Sequence, residues 1–299
     1  MLQQFYPENE QISVFVGDRI VDRSEAKVSV FDSSVQGGDA VWEGLRVYAE
    51  GIVHLSAHIN RLMESAHALS FENVPSEDFM RDAIRQTLDA NGMKKDAHVR
   101  LTLTRGEKIT SGMDPRLNQN GCCLIVLAEW KPLVYDNDKG IEVITSSQRR
   151  NGPQFLDSKI HHANLLNNII AKIQANVAGV DAAIMLDDNG FIAELNDTNL
   201  FTIKDGRVYT PFADACLPGI TRNHVMRLAE EAGLSMSEKN ISLTEFYNAD
   251  FAFATGTMGH LTPVSKADGR TIGNAEGRKL FDKLNKVFGE SIAGCCERP

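Results

Sequence analysis

The sequence predicts a mixed α/β (α+β) protein built in two halves, and three observations carry that prediction. Short alternating strands recur along the whole chain, joined at hairpin turns such as Gly17-Asp18, Asp188-Asn189-Gly190 and Lys204-Asp205-Gly206. Amphipathic segments of helical period fall between them. A polar stretch from Lys131 to Gly140, with Pro132, Asp136, Asn137 and Asp138, separates the halves. The expected division is an N-terminal domain of residues 1–131, a linker of 132–140 and a C-terminal domain of 141–299. So many hairpins argue against a simple parallel doubly wound sheet.

The elements follow in order. Ile12–Val16 and Arg19–Val21 flank Gly17-Asp18 as a hairpin, and a strand region from Gly44 to Leu55 turns at Glu50-Gly51. At residue 56 the period changes: Ile59, Leu62, Met63, Ala66 and Leu69 predict a helix over 56–71 with Ser56 as its N-cap. A second helix fits 76–91 and stops at Gly92, followed by strands at His98–Thr104 and Cys122–Trp130. In the second half a strand at 141–146 leads through an irregular loop to a helix expected over 160–178. Hairpins then pair Ala182–Leu186 with Phe191–Glu194 and Leu200–Ile203 with Val208-Tyr209. Helices over 221–232 and 275–288 end at Gly233 and Gly289.

Composition narrows the function classes. A net charge of −9 over 299 residues, with no basic cluster, speaks against nucleic acid or an anionic membrane as partner. The opening Met1-Leu2-Gln3-Gln4-Phe5-Tyr6-Pro7 lacks the basic start and apolar core of a signal peptide. The longest apolar run, Cys122 to Ala128, suits a buried strand and is too short for a membrane span. The cysteines fall as Cys122-Cys123, Cys216 and Cys295-Cys296, without the spacing of a zinc site, so reduced thiols in a cytoplasmic protein and no metal are expected.

Lys159 carries the most chemical information. It lies between Leu156-Asp157-Ser158 and Ile160-His161-His162, with no like charge until Lys172. At the first turn of the expected helix, the dipole would oppose its ammonium charge and favour the nucleophilic amine. A lysine so placed is usually structural, so its weight depends on its company. Leu217-Pro218-Gly219-Ile220-Thr221-Arg222 opens the amphipathic run Val225, Met226, Leu228, Ala229. There Gly219 allows a sharp turn, Thr221 can cap, and the free N–H groups form a ready phosphate site, although an ordinary strand-to-helix turn has the same look. Thr255-Gly256-Thr257-Met258-Gly259 is a second turn whose small residues let backbone amides approach an anion. Arg61 offers a planar donor fork suited to phosphate. Glu194 ends an apolar strand with no basic neighbour in sequence, where a carboxylate can hold a proton on a pyridine nitrogen.

In that order Arg61, Lys159, Glu194, Leu217 to Arg222 and Gly256-Thr257-Met258-Gly259-His260-Leu261-Thr262-Pro263-Val264 resemble the class IV pyridoxal-phosphate aminotransferases. Val41-Trp42-Glu43-Gly44-Leu45-Arg46 is similar to the branched-chain amino acid subgroup, and the likeness runs from about residue 12 to residue 273. The resemblance implies a smaller N-terminal α/β domain, a larger C-terminal pseudo-barrel domain and a homodimer. It implies that Lys159 is the Schiff-base lysine and proton shuttle, that Glu194 meets the pyridine nitrogen and that Leu217 packs on the ring. Arg61, Ile220, Thr221 and Thr257 would hold the phosphate. Trp42, Gly44, Arg100, Arg105 and Met258 would line the substrate side. Branched-chain L-amino acids and 2-oxoglutarate are the expected substrates.

The sequence departs from that family in places. Gly37 stands where branched-chain enzymes usually carry a tyrosine. Arg100 matches the branched-chain pattern, while Thr104-Arg105-Gly106 is similar to the D-amino acid aminotransferases. By strand alternation the two arginines face opposite sides unless the strand bends. The tyrosine that often follows the lysine is absent, leaving Asn164 or another group for the cofactor's phenolic oxygen. Arg149-Arg150 is expected to be a solvated loop pair, with a reach to substrate carboxylates as the alternative. D-amino acid or (R)-amine transamination on the same fold, and an aminodeoxychorismate-type lyase, are the rival activities.

Overall fold

A computed structural model describes residues 4–299, which form two units. The N-terminal unit comprises residues 4–132 together with Ile160–Asn164 and Ala293–Pro299, and the C-terminal unit comprises Leu133–Lys159 and Leu165–Ile292.

The N-terminal unit is an antiparallel sheet under two helices. Its elements are β1 (Ser13–Val16), β2 (Arg19–Asp22), α1 (Ser33–Gly37), β3 (Ala40–Tyr48), β4 (Gly51–Val53), α2 (Leu55–Ala68), α3 (Glu77–Ala90), β5 (Ala97–Thr104) and β6 (Cys123–Trp130). In the sheet they run β4-β3-β5-β6-β1-β2, with the two-residue strand Cys296–Glu297 added beside β4. Burial alternates along β5, so one face is packed and the other half-open. Leu45, Ile59, Leu62, Ile84, Val99 and Val126 form the packed side with α2 and α3.

One local expectation is corrected here: Ser56 does not cap α2, whereas Ser76 caps α3 through Phe79 N–H. His54, in left-handed backbone (φ 52°), precedes the helix, and Ser56 N–H and Oγ are taken by Glu297. The same approach of Glu297 dictates Gly51, because a Cβ there would lie 2.5 Å from the Glu297 carbonyl oxygen.

The C-terminal unit holds β7 (Ile141–Thr145), α4 (Leu166–Ala178), β8 (Ala182–Leu186), β9 (Ile192–Leu195), β10 (Asn199–Lys204) and β11 (Arg207–Thr210). There follow α5 (Ile220–Glu231), β12 (Ser235–Glu238), α6 (Leu243–Tyr247), β13 (Phe251–Gly256), β14 (His260–Ala267), β15 (Arg270-Thr271) and α7 (Ala275–Ser291). The sheet order is β12-β11-β10-β13-β14-β7-β8-β9, mixed in direction, with β7 parallel to both β14 and β8. The helix expected to stop at Gly289 runs two residues further, to Ser291.

One link shapes this unit. In a flat sheet β10 and β9, five positions apart, would lie about 24 Å from each other. They are joined by Asn196–Thr198 alone, a link that spans at most about 14 Å, and Leu195 N–H donates to Thr198 O. The sheet therefore curls, which is the barrel-like form expected. Its walls bury Ile184, Leu195, Leu200, Ala252 and Val264 on one side and Phe201, Phe253, Phe281 and Leu284 on the other. Among the described residues no helix is long and apolar enough to cross a membrane.

Phe253 is fully buried, stacked 5.0 Å from the Phe201 ring and tilted at 5.3 Å against Phe281. Phe253→Ala is expected to cost about 3–5 kcal/mol, read as an earlier midpoint in denaturant unfolding followed by far-UV circular dichroism.

Candidate active site

In the C-terminal unit the curl gathers four strand and helix ends. Glu194 is the next-to-last residue of β9, Asn199 opens β10, Gly219 precedes α5, and Thr255-Gly256 ends β13 with Thr255 opposite Asn199 in register. Glu194 is buried, and its Oε1 accepts from Arg150 Nε at 2.6 Å while Oε2 accepts from Asn199 Nδ2 at 3.1 Å. Asn199 Nδ2 also donates to Leu217 O at 2.9 Å, tying the loop before α5 to the same carboxylate. Burial pushes the Glu194 carboxyl up from its ordinary value, and the Arg150 guanidinium opposes that rise. Removing one partner of such a buried pair costs about 3–5 kcal/mol.

Arg150 is thus no solvated loop charge. Its Nη1 donates to Asn167 on α4 at 3.2 Å and its N–H to Leu186 O at 2.9 Å, while Arg149 is exposed. The basic partner that Glu194 lacks nearby in sequence comes from 44 residues upstream.

The α5 entry also differs in mechanism from the expectation. Gly219 is the N-cap with φ −61°, so the residue is not needed for its backbone angle. It is needed for space: a Cβ would sit 2.0 Å from Asn199 Oδ1. Thr221 is the second residue of the helix and makes no cap; the first helical bond runs from Asn223 N–H to Gly219 O at 2.9 Å. The amides of Ile220, Thr221 and Arg222 precede that bond, which gives this end the polarity that attracts anions. Arg222 is spent on structure, donating from Nη2 to Pro211 O at 2.8 Å and to Glu238. The β13–β14 turn, Thr257-Met258-Gly259, is braced by Val134 N–H on Met258 O at 3.0 Å and Asn137 Nδ2 on Gly259 O at 2.9 Å. Beside it the buried Thr255 Oγ1 has no hydrogen-bond partner among the described residues.

Lys159 is exposed, in a turn where Asp157 Oδ1 accepts its N–H at 3.0 Å. The helix expected from 160 begins at Leu166, so the dipole argument does not apply to Lys159. The reason is pairing. The residues after Lys159 extend along β3, with Trp42 N–H to His161 O at 3.0 Å and Ala163 N–H to Ala40 O at 2.7 Å.

In the N-terminal unit Arg61 does not stand open to solvent. Its Nε and Nη2 donate to Glu43 at 2.8 and 2.7 Å, as a two-pronged pair. Glu43 is fully buried and also contacts His58 Nδ1 at 2.6 Å and His161 Nδ1 at 3.1 Å. Burial would raise its carboxyl, yet His161 and Arg61 hold it well below the ordinary value. Glu43 and His161 were missed in sequence because they come from a strand and a loop 118 residues apart.

The half-open face of the sheet carries Trp42, Gly44, His98 and Arg100. Arg100 lies 3.3 Å above the Trp42 ring, and His161 packs on the same ring at 4.2 Å. Burial pushes the Arg100 guanidinium down to about 10, so it stays cationic at neutral pH. Gly44 lets these groups close in, since a Cβ there would meet His98 Nε2 at 3.2 Å. Arg105 lies beyond the end of β5 and is bound to Asp39 at 2.6 and 3.2 Å, to the Leu69 and Ser70 carbonyls, and over Phe71. A side chain at Gly37 would meet nothing within 4 Å of its Cβ.

His98 sets a pH dependence. Burial and the nearby Lys131, Arg100 and Arg46 push its imidazole from 6.5 down to about 3. The unfolded chain therefore binds a proton that the folded chain refuses between those values, and folding stability falls as pH drops through 6.5 toward 3. His98→Asn is expected to flatten that part of a pH–stability profile from urea unfolding midpoints.

Comparison with known proteins places the chain in a family. The amino-transferase class IV family matches residues 40–267. The chain is 58% identical over 94% of its length to branched-chain-amino-acid aminotransferase-like protein 2 of Arabidopsis thaliana, and it spans about half (50%) of that relative. It is 32% identical to D-alanine aminotransferase of Bacillus licheniformis, covering 94% of this chain and 97% of that one. Its fold is similar to that of the branched-chain aminotransferase from the archaeon Thermoproteus uzoniensis with norvaline, with a TM-score of 0.84, 29% identity, and 94% of this chain and 96% of that one covered. With a match across most of the chain and both units folded as described, this chain belongs to the class IV aminotransferases.

Proposed function

We propose that the chain is a pyridoxal-phosphate-dependent aminotransferase that moves an amino group from branched-chain L-amino acids to 2-oxoglutarate. The observation that carries the reading is the Glu194 carboxylate, buried against Arg150 and Asn199 and tied to the loop before α5. The donor set fits the cofactor: an acceptor for a pyridine N–H, a helix start for a phosphate ester, and the unpartnered Thr255 hydroxyl beside the β13–β14 turn. Bound pyridoxal phosphate supplies an electron sink for the bond broken at the substrate Cα.

The chain's own residues have separate tasks in this reading. Lys159 Nζ would hold the cofactor and would carry a proton to and from the substrate Cα. Glu194, held by Arg150, keeps the pyridine nitrogen protonated. Leu217 packs on the ring, and Ile220, Thr221, Thr257 and Arg61 grip the phosphate. Trp42, Gly44 and Met258 shape the side-chain space.

The engagement of Arg105 by Asp39 and two carbonyls favours Arg100 as the cation for a substrate carboxylate. That preference supports the L-amino acid reading with 2-oxoglutarate. A D-amino acid reading draws on the open space at Gly37 and the D-alanine aminotransferase likeness.

Lys159→Ala is expected to lower transamination by at least a thousandfold. In single-turnover reactions L-leucine is expected to bleach the visible absorbance of the cofactor faster than D-alanine does. Bleaching by D-alanine and not by L-leucine overturns the substrate choice, and full activity of Lys159→Ala overturns the mechanism.

A cytoplasmic homodimer belongs to the same proposal. Helix α4 packs on β8 through Ala171 and Ala175, and leaves Leu166, Ile169, Ile170, Ile173 and Val177 exposed along its outer face. Five large apolar side chains on one helix face are what a second copy would cover. Ile170→Glu with Ile173→Glu is expected to shift the protein from dimer to monomer in sedimentation velocity at micromolar concentration.

A further inference from the structure

We propose that Glu43 is a positioning residue that locks the Arg61 guanidinium in the orientation in which it receives the cofactor's phosphate ester. The inference rests on the reading that Arg61 meets phosphate, and it adds the residue that prepares it.

The geometry distinguishes Glu43 from an ordinary ion-pair partner. It sits on β3 at the packed face of the sheet, with no solvent exposure, under α2. Its two oxygens are both committed to Arg61, at 2.8 Å to Nε and 2.7 Å to Nη2, which fixes the plane of the fork rather than only its position. The carboxylate is itself held from two further directions. His58, one turn before Arg61 on α2, approaches Oε2 at 2.6 Å, and His161 approaches Oε1 at 3.1 Å. His161 is in turn anchored by its backbone, with its N–H on Ser65 Oγ at 3.0 Å and its carbonyl on Trp42 N–H at 3.0 Å.

An arginine side chain has many rotamers, and a ligand that must order it loses affinity. Here the chain's own contacts with Glu43 order the fork. A buried carboxylate surrounded by Arg61, His58 and His161 is a costly arrangement for stability alone, since apolar packing serves that purpose as well or better. Its use is to keep a cation aimed.

The test compares pyridoxal phosphate with pyridoxal, which lacks the phosphate, by titrating the apoprotein and following visible absorbance. Glu43→Gln is expected to lower the preference for the phosphorylated form by at least tenfold, about 1.4 kcal/mol, while pyridoxal affinity stays within twofold. Glu43→Asp keeps the charge but withdraws the carboxylate by one methylene, and is expected to lower the preference at least threefold even if Glu43→Gln fails to fold. Equal weakening of both ligands, or an unchanged preference in Glu43→Asp, overturns the proposal. Arg61→Lys separates the two layers. If it leaves the preference intact, the phosphate reading of Arg61 falls; if it lowers the preference and the Glu43 variants do not, the Glu43 proposal falls alone.

Discussion

Three residues, Asn196, Asp197 and Thr198, impose the form of the C-terminal unit. Strands that lie at opposite ends of a six-strand run must meet across this link, so the sheet has to curl. The curl sets the end of β9 beside the start of β10, and antiparallel pairing then brings the end of β13 opposite Asn199. Glu194, the α5 entry and the β13–β14 turn become neighbours for that reason. Asn199 is the joint between them, donating to Glu194 and to Leu217 O while filling the space that a glycine at 219 leaves.

The N-terminal unit meets a different constraint. A polar cluster is buried inside its sheet-and-helix layer, and each member answers another. Glu43 is compensated by Arg61, His58 and His161, so no charge is left bare in a low-dielectric site. The segment that follows Lys159 completes the arrangement by pairing along β3, which gives His161 a fixed backbone. That pairing also explains why α4 starts at Leu166 and not directly after Lys159: backbone groups engaged in a ladder cannot start a helix.

Much of this was legible in the chain itself. The strand alternation of His98–Thr104, the turns at Gly17-Asp18 and Lys204-Asp205-Gly206, and the end of α3 before Gly92 are local, and local chemistry decides them. Local errors arose where a distant residue intervened. Ser56 looks like a cap until Glu297, 241 positions away, takes its donors. Gly219 looks like a turn glycine until Asn199 occupies the space its side chain would need. Arg149-Arg150 looks like one solvated pair, yet only Arg149 is exposed.

By itself the sequence determined the class of chemistry and the order of its parts. It did so through the ordered motifs Arg61, Lys159, Glu194, Leu217 to Arg222 and Gly256 to Val264, whose resemblance to the class IV aminotransferases agrees with the family match over residues 40–267. Tertiary structure decided which charges are used up inside the fold. Arg105 is absorbed by Asp39, Arg222 by Pro211 O and Glu238, and Arg150 by Glu194, while Arg100 is left above Trp42. Electrostatic pairing acts over a few ångströms of space and takes no account of separation along the chain. For that reason an arginine's role becomes visible only when its neighbours are folded around it.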